Sequence, residues 1–126
     1  MTAKAKPKVA LVVDDEVFAR LFAAQILLDE GFTVLEAADA TEGLDVLDRN
    51  DDVSVLFTDI SMPGELDGLA LVNKVQAEWP GIALLVTSGH VHPGASEIPP
   101  GGRFLAKPYT AHALMSVIRE LEEAGA

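Results

Sequence analysis

Two short apolar runs of this sequence end in carboxylate side chains. Asp14 and Asp15 follow the run Val9–Val13, and Asp59 closes a second run that reads Val-Leu-Phe-Thr-Asp. Carboxylates about 4 Å apart repel each other by roughly 1 kcal/mol in water and several-fold more near a partly buried surface, so such a group needs cations. A divalent metal ion is one suitable cation, and the ammonium of Lys107, after a later apolar run, is another. These residue types predict metal binding and phosphoryl transfer to a carboxylate.

Asp59 is the predicted nucleophile because it stands alone after its strand. Asp14 and Asp15 are adjacent in the sequence, so they can share metal ligation and water-mediated contacts. Magnesium accepts one or two carboxylates, a carbonyl oxygen and waters in an octahedron, which leaves positions for phosphate oxygens. Lys107 would add a fixed positive charge. Ser88 follows another apolar run and could donate its hydroxyl to a phosphoryl oxygen.

The segments that must position these residues alternate between strand and helix patterns. The predicted strands are Val9–Val13, Phe32–Ala37, Val53–Thr58, Ile82–Thr87 and Arg103–Ala106, and the predicted helices are Glu16–Glu30, Thr41–Asn50, Leu69–Trp79 and Thr110–Glu123. In the first helix, the apolar residues that recur at helical spacing are Val17, Leu21, Ala24 and Leu28. Such alternation, with mostly short connections, predicts a parallel sheet covered on both faces. Ligands of such sheets bind beyond the carboxyl ends of the strands, where the acids lie.

The segment between the fourth and fifth predicted strands departs from this alternation. It has almost no apolar periodicity, and its proline and glycine residues are Pro93, Gly94, Pro99, Pro100, Gly101 and Gly102. Both residue types disfavour helix interiors. We therefore predict no regular helix in this segment.

Length and composition limit the chain to one ordinary domain. It has 126 residues, of which 49% are apolar, and no cysteine, so disulfides and thiolate chemistry are excluded. No segment has the pattern of a secretory signal or a membrane span, so we predict a cytoplasmic protein without membrane insertion. Residues 1–8, which include Lys4, Lys6 and Lys8, are predicted to form a flexible basic leader, and residues 9–126 the domain.

The charge of the chain is strongly negative. Its formal net charge is −11, and from Val9 onward six basic residues stand against 20 acidic ones, a formal charge of about −14. Such a surface repels phosphate backbones, so direct binding of nucleic acid is not expected, whereas a metal cation or a basic protein face would be attracted. The surface acids could equally serve solubility alone, and the sequence leaves that alternative open.

The order of these motifs resembles the receiver domain of two-component response regulators, from Val9 to about Leu121. The matching pieces are Val-Val-Asp-Asp-Glu, Thr-Asp-Ile-Ser-Met-Pro-Gly with Asp-Gly following, Val-Thr-Ser-Gly-His, and Phe-Leu-Ala-Lys-Pro-Tyr. Each piece is weak alone, but the ordered set is highly specific. The resemblance implies an α/β, flavodoxin-like doubly wound fold with five parallel strands in the order 2-1-3-4-5. The fourth helix of the family is expected to be short, irregular or absent here, as in stand-alone receivers that accompany alphaproteobacterial sensor kinases.

The resemblance also implies roles for the acids. Asp59 would be the phosphoacceptor and a ligand of Mg²⁺, for which Mn²⁺ could substitute. Asp15 and the backbone carbonyl of Ser61 would be further ligands. Asp14 completes the acid pair and would act on the metal through water.

Other residues of the site receive roles from the same resemblance. Lys107 would bind a phosphoryl oxygen, and the Lys107-Pro108 peptide would be cis. Ser88, which precedes a glycine, is selected over Thr87 as the switch hydroxyl, with Thr87 as the fallback. Phe104, three residues before Lys107, would be the mobile aromatic residue of the switch.

The implied function is a signalling switch rather than an enzyme that acts on a separate substrate. A phosphohistidine of a sensor histidine kinase or a histidine phosphotransfer protein would transfer its phosphoryl group to Asp59, and the surface around residues 88–122 would change for an output protein. The domain would assist only its own phosphorylation and dephosphorylation. One alternative is a phosphate sink or relay without an output partner. A phosphohydrolase like the haloacid dehalogenases ranks far behind, because that family requires Asp-x-Asp after the first strand, and this strand ends in Asp-Asp-Glu.

Overall fold

Five strands and four helices make up the part of the chain that the computed structural model describes, residues 8–90, 93–94 and 97–124. The strands are β1 (Val9–Val13), β2 (Thr33–Ala37), β3 (Val53–Asp59), β4 (Ala83–Ser88) and β5 (Arg103–Ala106). The helices are α1 (Val17–Asp29), α2 (Ala40–Arg49), α3 (Gly68–Glu78) and α4 (Ala111–Ala124). All nine predicted elements are present, and their bounds agree with the predicted ones to within one residue.

The five strands form one parallel sheet in the order β2-β1-β3-β4-β5. This order reverses beside β1, so β1 and β3 are neighbours although a strand and two helices separate them in sequence. All five residues of β1 are buried, as expected for a strand covered on both faces. The predicted doubly wound, flavodoxin-like topology is confirmed.

Helices cover the sheet on both faces, and successive residues of a strand point to opposite sides. On one side, Leu11 and Leu56 pack with α2 and α3. On the other side, Val12 and Phe57 pack with α1 and α4. The two cores fix the strands, and so they fix the strand ends that carry the acids.

Helix α1 buries a different face from the one that its apolar spacing suggested. Of the four spaced residues, Ala24 is buried, but Val17, Leu21 and Leu28 are about half exposed. The side chains of α1 that the core buries are Ala23, Ala24, Ile26 and Leu27. Apolar residues occur almost all round this helix, so helical spacing detected the helix but could not choose its inner face.

The predicted lack of a regular helix between β4 and β5 is confirmed for the residues described there, which are 89–90, 93–94 and 97–102. Ile98 packs against the core on the α2/α3 side, and Pro99 is buried. The carbonyl of Glu97 accepts a hydrogen bond from Asn73 Nδ2 at 3.3 Å. This part of the connection is therefore held in place by the packing of Ile98 against the core and by the hydrogen bond from Asn73 of α3.

The predicted basic leader lies outside the described residues except for Lys8. The Lys8 carbonyl accepts a hydrogen bond from the N–H of Thr33 at 2.8 Å, and the Lys8 ammonium pairs with the carboxylate of Glu122. Lys8 is thus attached to the folded part of the chain. No helix in the described ranges combines the length and apolar content needed to cross a membrane.

Candidate functional site

Asp14 and Asp59 lie side by side because their strands are neighbours that end at the same level. Val13 of β1 is paired with Thr58 of β3, and each acid is the next residue of its chain segment. Asp14, Asp15 and Asp59 each place a carboxylate oxygen within 4.8 Å of the others. Asp14 and Asp59 are buried, whereas Asp15 is exposed. The sheet thus brings together the three acids that the sequence singled out.

Lys107 reaches this cluster from the far side of β4. Its Nζ atom lies 3.0 Å from Asp14 Oδ2 and 3.1 Å from Asp59 Oδ2. Burial lowers the pKa of Lys107, but hydrogen bonds to Asp14 and Asp59 and the charges of these carboxylates outweigh burial and raise the pKa above its usual 10.5. The ammonium therefore stays charged at neutral pH. The peptide from Lys107 to Pro108 is cis, as the resemblance predicted.

Backbone N–H groups orient the other oxygen of each buried acid. The N–H of Glu16 donates to Asp14 Oδ1 at 2.9 Å, and the N–H of Ser61 donates to Asp59 Oδ1 at 3.1 Å. Hydrogen bonds from N–H groups to carboxylates are among the stronger ones in proteins. Both buried carboxylates are therefore held in fixed orientations, whereas the role of the Ser61 carbonyl as a metal ligand stays a prediction.

The two candidate switch hydroxyls differ in what they bind. Thr87 Oγ1 donates to the carbonyl of Leu105 on the neighbouring strand at 2.5 Å, so this hydroxyl joins β4 to β5. Ser88 is the last residue of β4, and its Oγ accepts a hydrogen bond from the N–H of His90 at 3.1 Å. Ser88 thus lies at the carboxyl end of β4 and Thr87 one residue before it, and the choice of Ser88 over Thr87 as the switch hydroxyl stays a prediction.

The predicted mobile aromatic residue lies on β5, away from the strand end. Phe104 pairs in register with Val86 of β4 and is partly buried against the core on the α2/α3 side. The partly buried Ile98 of the connection between β4 and β5 packs against the same core. Phe104 thus belongs to the same packed layer as the irregular connection.

The donor set fits a hard divalent cation. Three carboxylates face one ammonium, so two negative charges among these four groups are uncompensated. Oxygen ligands of this kind suit Mg²⁺, Mn²⁺ or Ca²⁺ and not a soft metal. The exposed position of Asp15 also leaves the cluster open to solvent on one side.

Sequence reasoning missed two features that build the site. Arg20 of α1 donates to the backbone carbonyl of Asp14 at 2.8 Å, although no sequence pattern had singled it out. Gly68 entered the sequence analysis only as part of an Asp-Gly motif, but a Cβ atom there would lie 2.0 Å from the carbonyl oxygen of Asp59. Its position directly after Asp67, which caps α3 by accepting the N–H of Ala70 at 2.8 Å, was the available signal.

Aromatic side chains line a groove beside the acids. The ring of Tyr109 lies 5.6 Å from that of Phe22 and 5.7 Å from that of Phe57, measured between centroids. Tyr109 and Phe22, with Lys107 and Gly89, line a groove of about 470 Å³. The structure thus places Tyr109 between α1 and the core.

Comparison with known families agrees with this arrangement. A family model described as the response regulator receiver domain matches residues 10–119. The chain belongs to this family. Receiver domains are signalling domains of two-component systems rather than classical enzymes, and the acid cluster fits phosphorylation and metal binding.

Three similar proteins illustrate the range of the receiver family. Over 117 residues the chain is 30% identical to the sensor kinase CckA of Brucella abortus, covering 90% of this chain but 12% of CckA. It is 35% identical to a chemotaxis protein CheY homolog of Campylobacter jejuni, covering 88% of this chain and 89% of that protein. The solved structure of NtrX from Brucella abortus matches with a TM-score of 0.85 and 34% identity, covering 95% of this chain and 28% of NtrX. The CckA and NtrX relatives fit the alphaproteobacterial type of receiver.

Proposed function

We propose that this receiver domain is a phosphorylation-dependent switch in which Asp59 accepts the phosphoryl group. The observation that carries the proposal is the position of the Asp59 carboxylate, which lies against the Lys107 ammonium and within reach of two further acids. A carboxylate is a competent nucleophile toward phosphorus when cations neutralise the phosphoryl oxygens. The donor would be a phosphohistidine of a sensor histidine kinase or a histidine phosphotransfer protein.

The transfer step forms one bond and breaks one. An oxygen of Asp59 attacks phosphorus, the bond from phosphorus to the donor imidazole breaks, and its electron pair stays on the imidazole nitrogen. Lys107 is already held at 3.1 Å from Asp59, so it can contact a phosphoryl oxygen without a large rearrangement. The imidazole takes up one proton from solvent as it leaves, so the products are an aspartyl phosphate and a neutral histidine on the donor.

Mg²⁺ is the proposed cofactor, and Mn²⁺ could replace it. Asp15, Asp59 and the backbone carbonyl of Ser61 would hold the ion, with Asp14 acting through water. When bound, the ion would neutralise charge on the phosphoryl oxygens during transfer. The support for this assignment is the cluster of three carboxylates with an excess of negative charge.

The proposed response runs from the phosphoryl group to the surface around residues 88–122. Ser88 would move toward a phosphoryl oxygen, and Phe104 would rotate inward, so that an output protein meets a changed surface. The packing of Phe104 and Ile98 in one layer supports this route, because a movement of Phe104 would reach the connection between β4 and β5. A phosphate sink or relay without an output partner remains the alternative within signalling.

Helix α1 is the proposed docking face for the phosphodonor protein. Phe18 is 83% exposed, and Val17, Leu21 and Phe22 are about half exposed, although all four are apolar. Exposed apolar side chains that cluster on one element typically mark a protein interface. This face begins two residues after Asp15, so a donor that covers it could project a histidine toward Asp59.

A cytoplasmic location belongs to the same proposal, because ATP-dependent kinases act there.

The central claim is tested by incubating the protein with a small phosphodonor and Mg²⁺ and measuring the intact mass. We expect a phosphoryl adduct on the wild type and none on Asp59→Asn. The matched control is Asp51→Asn, because Asp51 is an exposed acid in the turn between α2 and β3. Absence of an adduct on the wild type, or an equal adduct on Asp59→Asn, would overturn the proposal.

A further inference from the structure

We infer that Arg20 is a positioning residue for the acid pair Asp14 and Asp15, an inference that rests on the proposed function. Arg20 lies in the first turn of α1, where its Nη1 donates to the backbone carbonyl of Asp14 at 2.8 Å. Its Nε donates to Glu36 Oε1 of β2 at 3.0 Å. One side chain therefore connects the end of β1 to both α1 and β2.

The carbonyl that Arg20 binds belongs to the peptide that joins Asp14 to Asp15. Rotation of this peptide would turn the chain at both acids, so the hydrogen bond limits the directions that their carboxylates can take. The other polar groups of Asp14 are also bonded, its N–H to the carbonyl of Ala37 at 3.1 Å and its Oδ2 to Lys107 at 3.0 Å. Mg²⁺ demands near-ideal octahedral geometry, so small errors in acid position would weaken its binding.

The geometry of the contact calls for a guanidinium. Arginine presents several N–H donors in a rigid plane and can bind two acceptors at once, whereas the lysine ammonium is a compact charge on a flexible stem. The guanidinium of Arg20 donates to acceptors at two different strands, the Asp14 carbonyl after β1 and the Glu36 carboxylate of β2. The Arg20 side chain is 18% exposed. Because Glu36 pairs with Arg20, its carboxylate offsets much of the guanidinium charge at the acid cluster. The inferred role is therefore geometric rather than a simple supply of positive charge.

Arg20→Lys is the most informative variant, because it keeps the positive charge and removes the planar guanidinium that binds two acceptors at once. A matched control is Arg119→Lys, since Arg119 pairs with Glu30 at 3.2 Å just beyond the other end of α1 and is more than half exposed. The readouts are the Kd for Mg²⁺ from calorimetry, the exchange of the Asp15 and Glu16 amide hydrogens without metal, and the rate of phosphorylation. Thermal unfolding is measured alongside to follow general stability.

We expect Arg20→Lys to weaken Mg²⁺ binding about tenfold, the lower end of the usual effect for residues that orient metal ligands. The Asp15 and Glu16 amides should exchange faster in the variant, and phosphorylation should recover as Mg²⁺ is raised. Arg119→Lys should change none of these. Glu36→Ala should also weaken Mg²⁺ binding. In the double variant, the loss of binding free energy should be smaller than the sum of the losses in Glu36→Ala and Arg20→Lys.

The results separate this inference from the proposed function. If the wild type is phosphorylated and Arg20→Lys binds Mg²⁺ as the wild type does, the role of Arg20 is overturned while the function stands. Equal weakening by Arg20→Lys and Arg119→Lys would also overturn it, because the effect would then be general. A wild type that binds Mg²⁺ but takes no phosphoryl group overturns the function and leaves the positioning role supported by the Kd comparison. A wild type that binds no Mg²⁺ overturns both.

Discussion

Gly68 lies so close to Asp59 that a Cβ atom on the glycine would stand 2.0 Å from the Asp59 carbonyl oxygen. The N–H of Gly68 also donates to the carbonyl of Ile60 at 2.9 Å. The start of α3 therefore packs directly against the backbone that carries the candidate phosphoacceptor. A residue with any side chain would have to displace that backbone.

Gly68→Ala should accordingly damage both stability and phosphorylation. Overpacking of a buried contact costs about 1 to 3 kcal/mol of unfolding free energy, and displacement of Asp59 should slow its phosphorylation. Urea unfolding and intact-mass kinetics measure the two effects. Gly81→Ala is the control, because a Cβ atom on Gly81 would meet nothing within 4 Å. Equal behaviour of the two variants would show that the close contact is unimportant.

Thr87 and Ser88 should respond differently to loss of their hydroxyls. Thr87→Val removes the hydrogen bond to the Leu105 carbonyl, so we expect about 1 kcal/mol lower unfolding free energy with phosphorylation largely unchanged. Ser88→Ala should instead slow phosphoryl transfer severalfold. The same unfolding and mass measurements apply. A slow Thr87→Val beside a normal Ser88→Ala would reverse the assignment of the switch hydroxyl.

Mg²⁺ should stabilise the folded protein through the acid cluster. A ligand that binds only the folded state adds about 2.7 kcal/mol at a hundred times its Kd, so thermal unfolding should shift upward with Mg²⁺ and return when a chelator is added. Asp15→Asn should remove most of this shift, since it deletes one of the three clustered carboxylates. Asp51→Asn should keep it. A shift that survives in Asp15→Asn would place the ion elsewhere.

Tyr109 should ionise at higher pH than a free tyrosine. Burial, and then the negative charges of Asp14 and Asp59, raise its pKa above the ordinary value of 10.0. The folded state therefore holds this proton more tightly than the unfolded chain. The protonated Tyr109 side chain therefore stabilises the folded state in full below about pH 10. This stabilisation is lost as the pH rises through the pKa of Tyr109 in the folded protein.

A pH titration followed by tyrosinate absorbance tests this directly, because the chain contains one tyrosine. Asp14→Asn should lower the pKa of Tyr109 while leaving it above the value for free tyrosine, since burial remains. Ionisation of the folded protein at the same pH as a small tyrosine amide would refute the expected environment.

Phe18→Ser should impair phosphorylation by a protein donor but not by a small phosphodonor. The side chain is 83% exposed and lies in the first turn of α1, near the acids. Leu28→Ser is the matched control, because Leu28 is another exposed apolar residue of α1 but lies about 15 Å further along the helix. Equal loss with both donors would show a defect in the site itself. Equally slow phosphorylation of Phe18→Ser and Leu28→Ser by the protein donor would argue against docking of the donor at the first turns of α1.

The sequence predicted the fold well because its local signals agree with the final topology. Apolar runs marked the strands, and helical spacing marked the helices, so each element was found with nearly the right bounds. The order of the acid, serine and lysine motifs then indicated the family. The buried face of α1 was the exception. Apolar residues of α1 occur on nearly all of its faces, so only packing against the sheet determines that Ala23 and Ala24 are buried.

By itself the sequence determined which residue types stand at the carboxyl ends of the strands, because these are local properties of the chain. Only the tertiary structure decided how they meet. Strand order placed Asp14 beside Asp59 across 45 residues of sequence and brought Lys107 within 3.1 Å of both. The contacts of Arg20 and Gly68 depend on how α1 and α3 pack against the strand ends, and such contacts leave no periodic trace in a sequence.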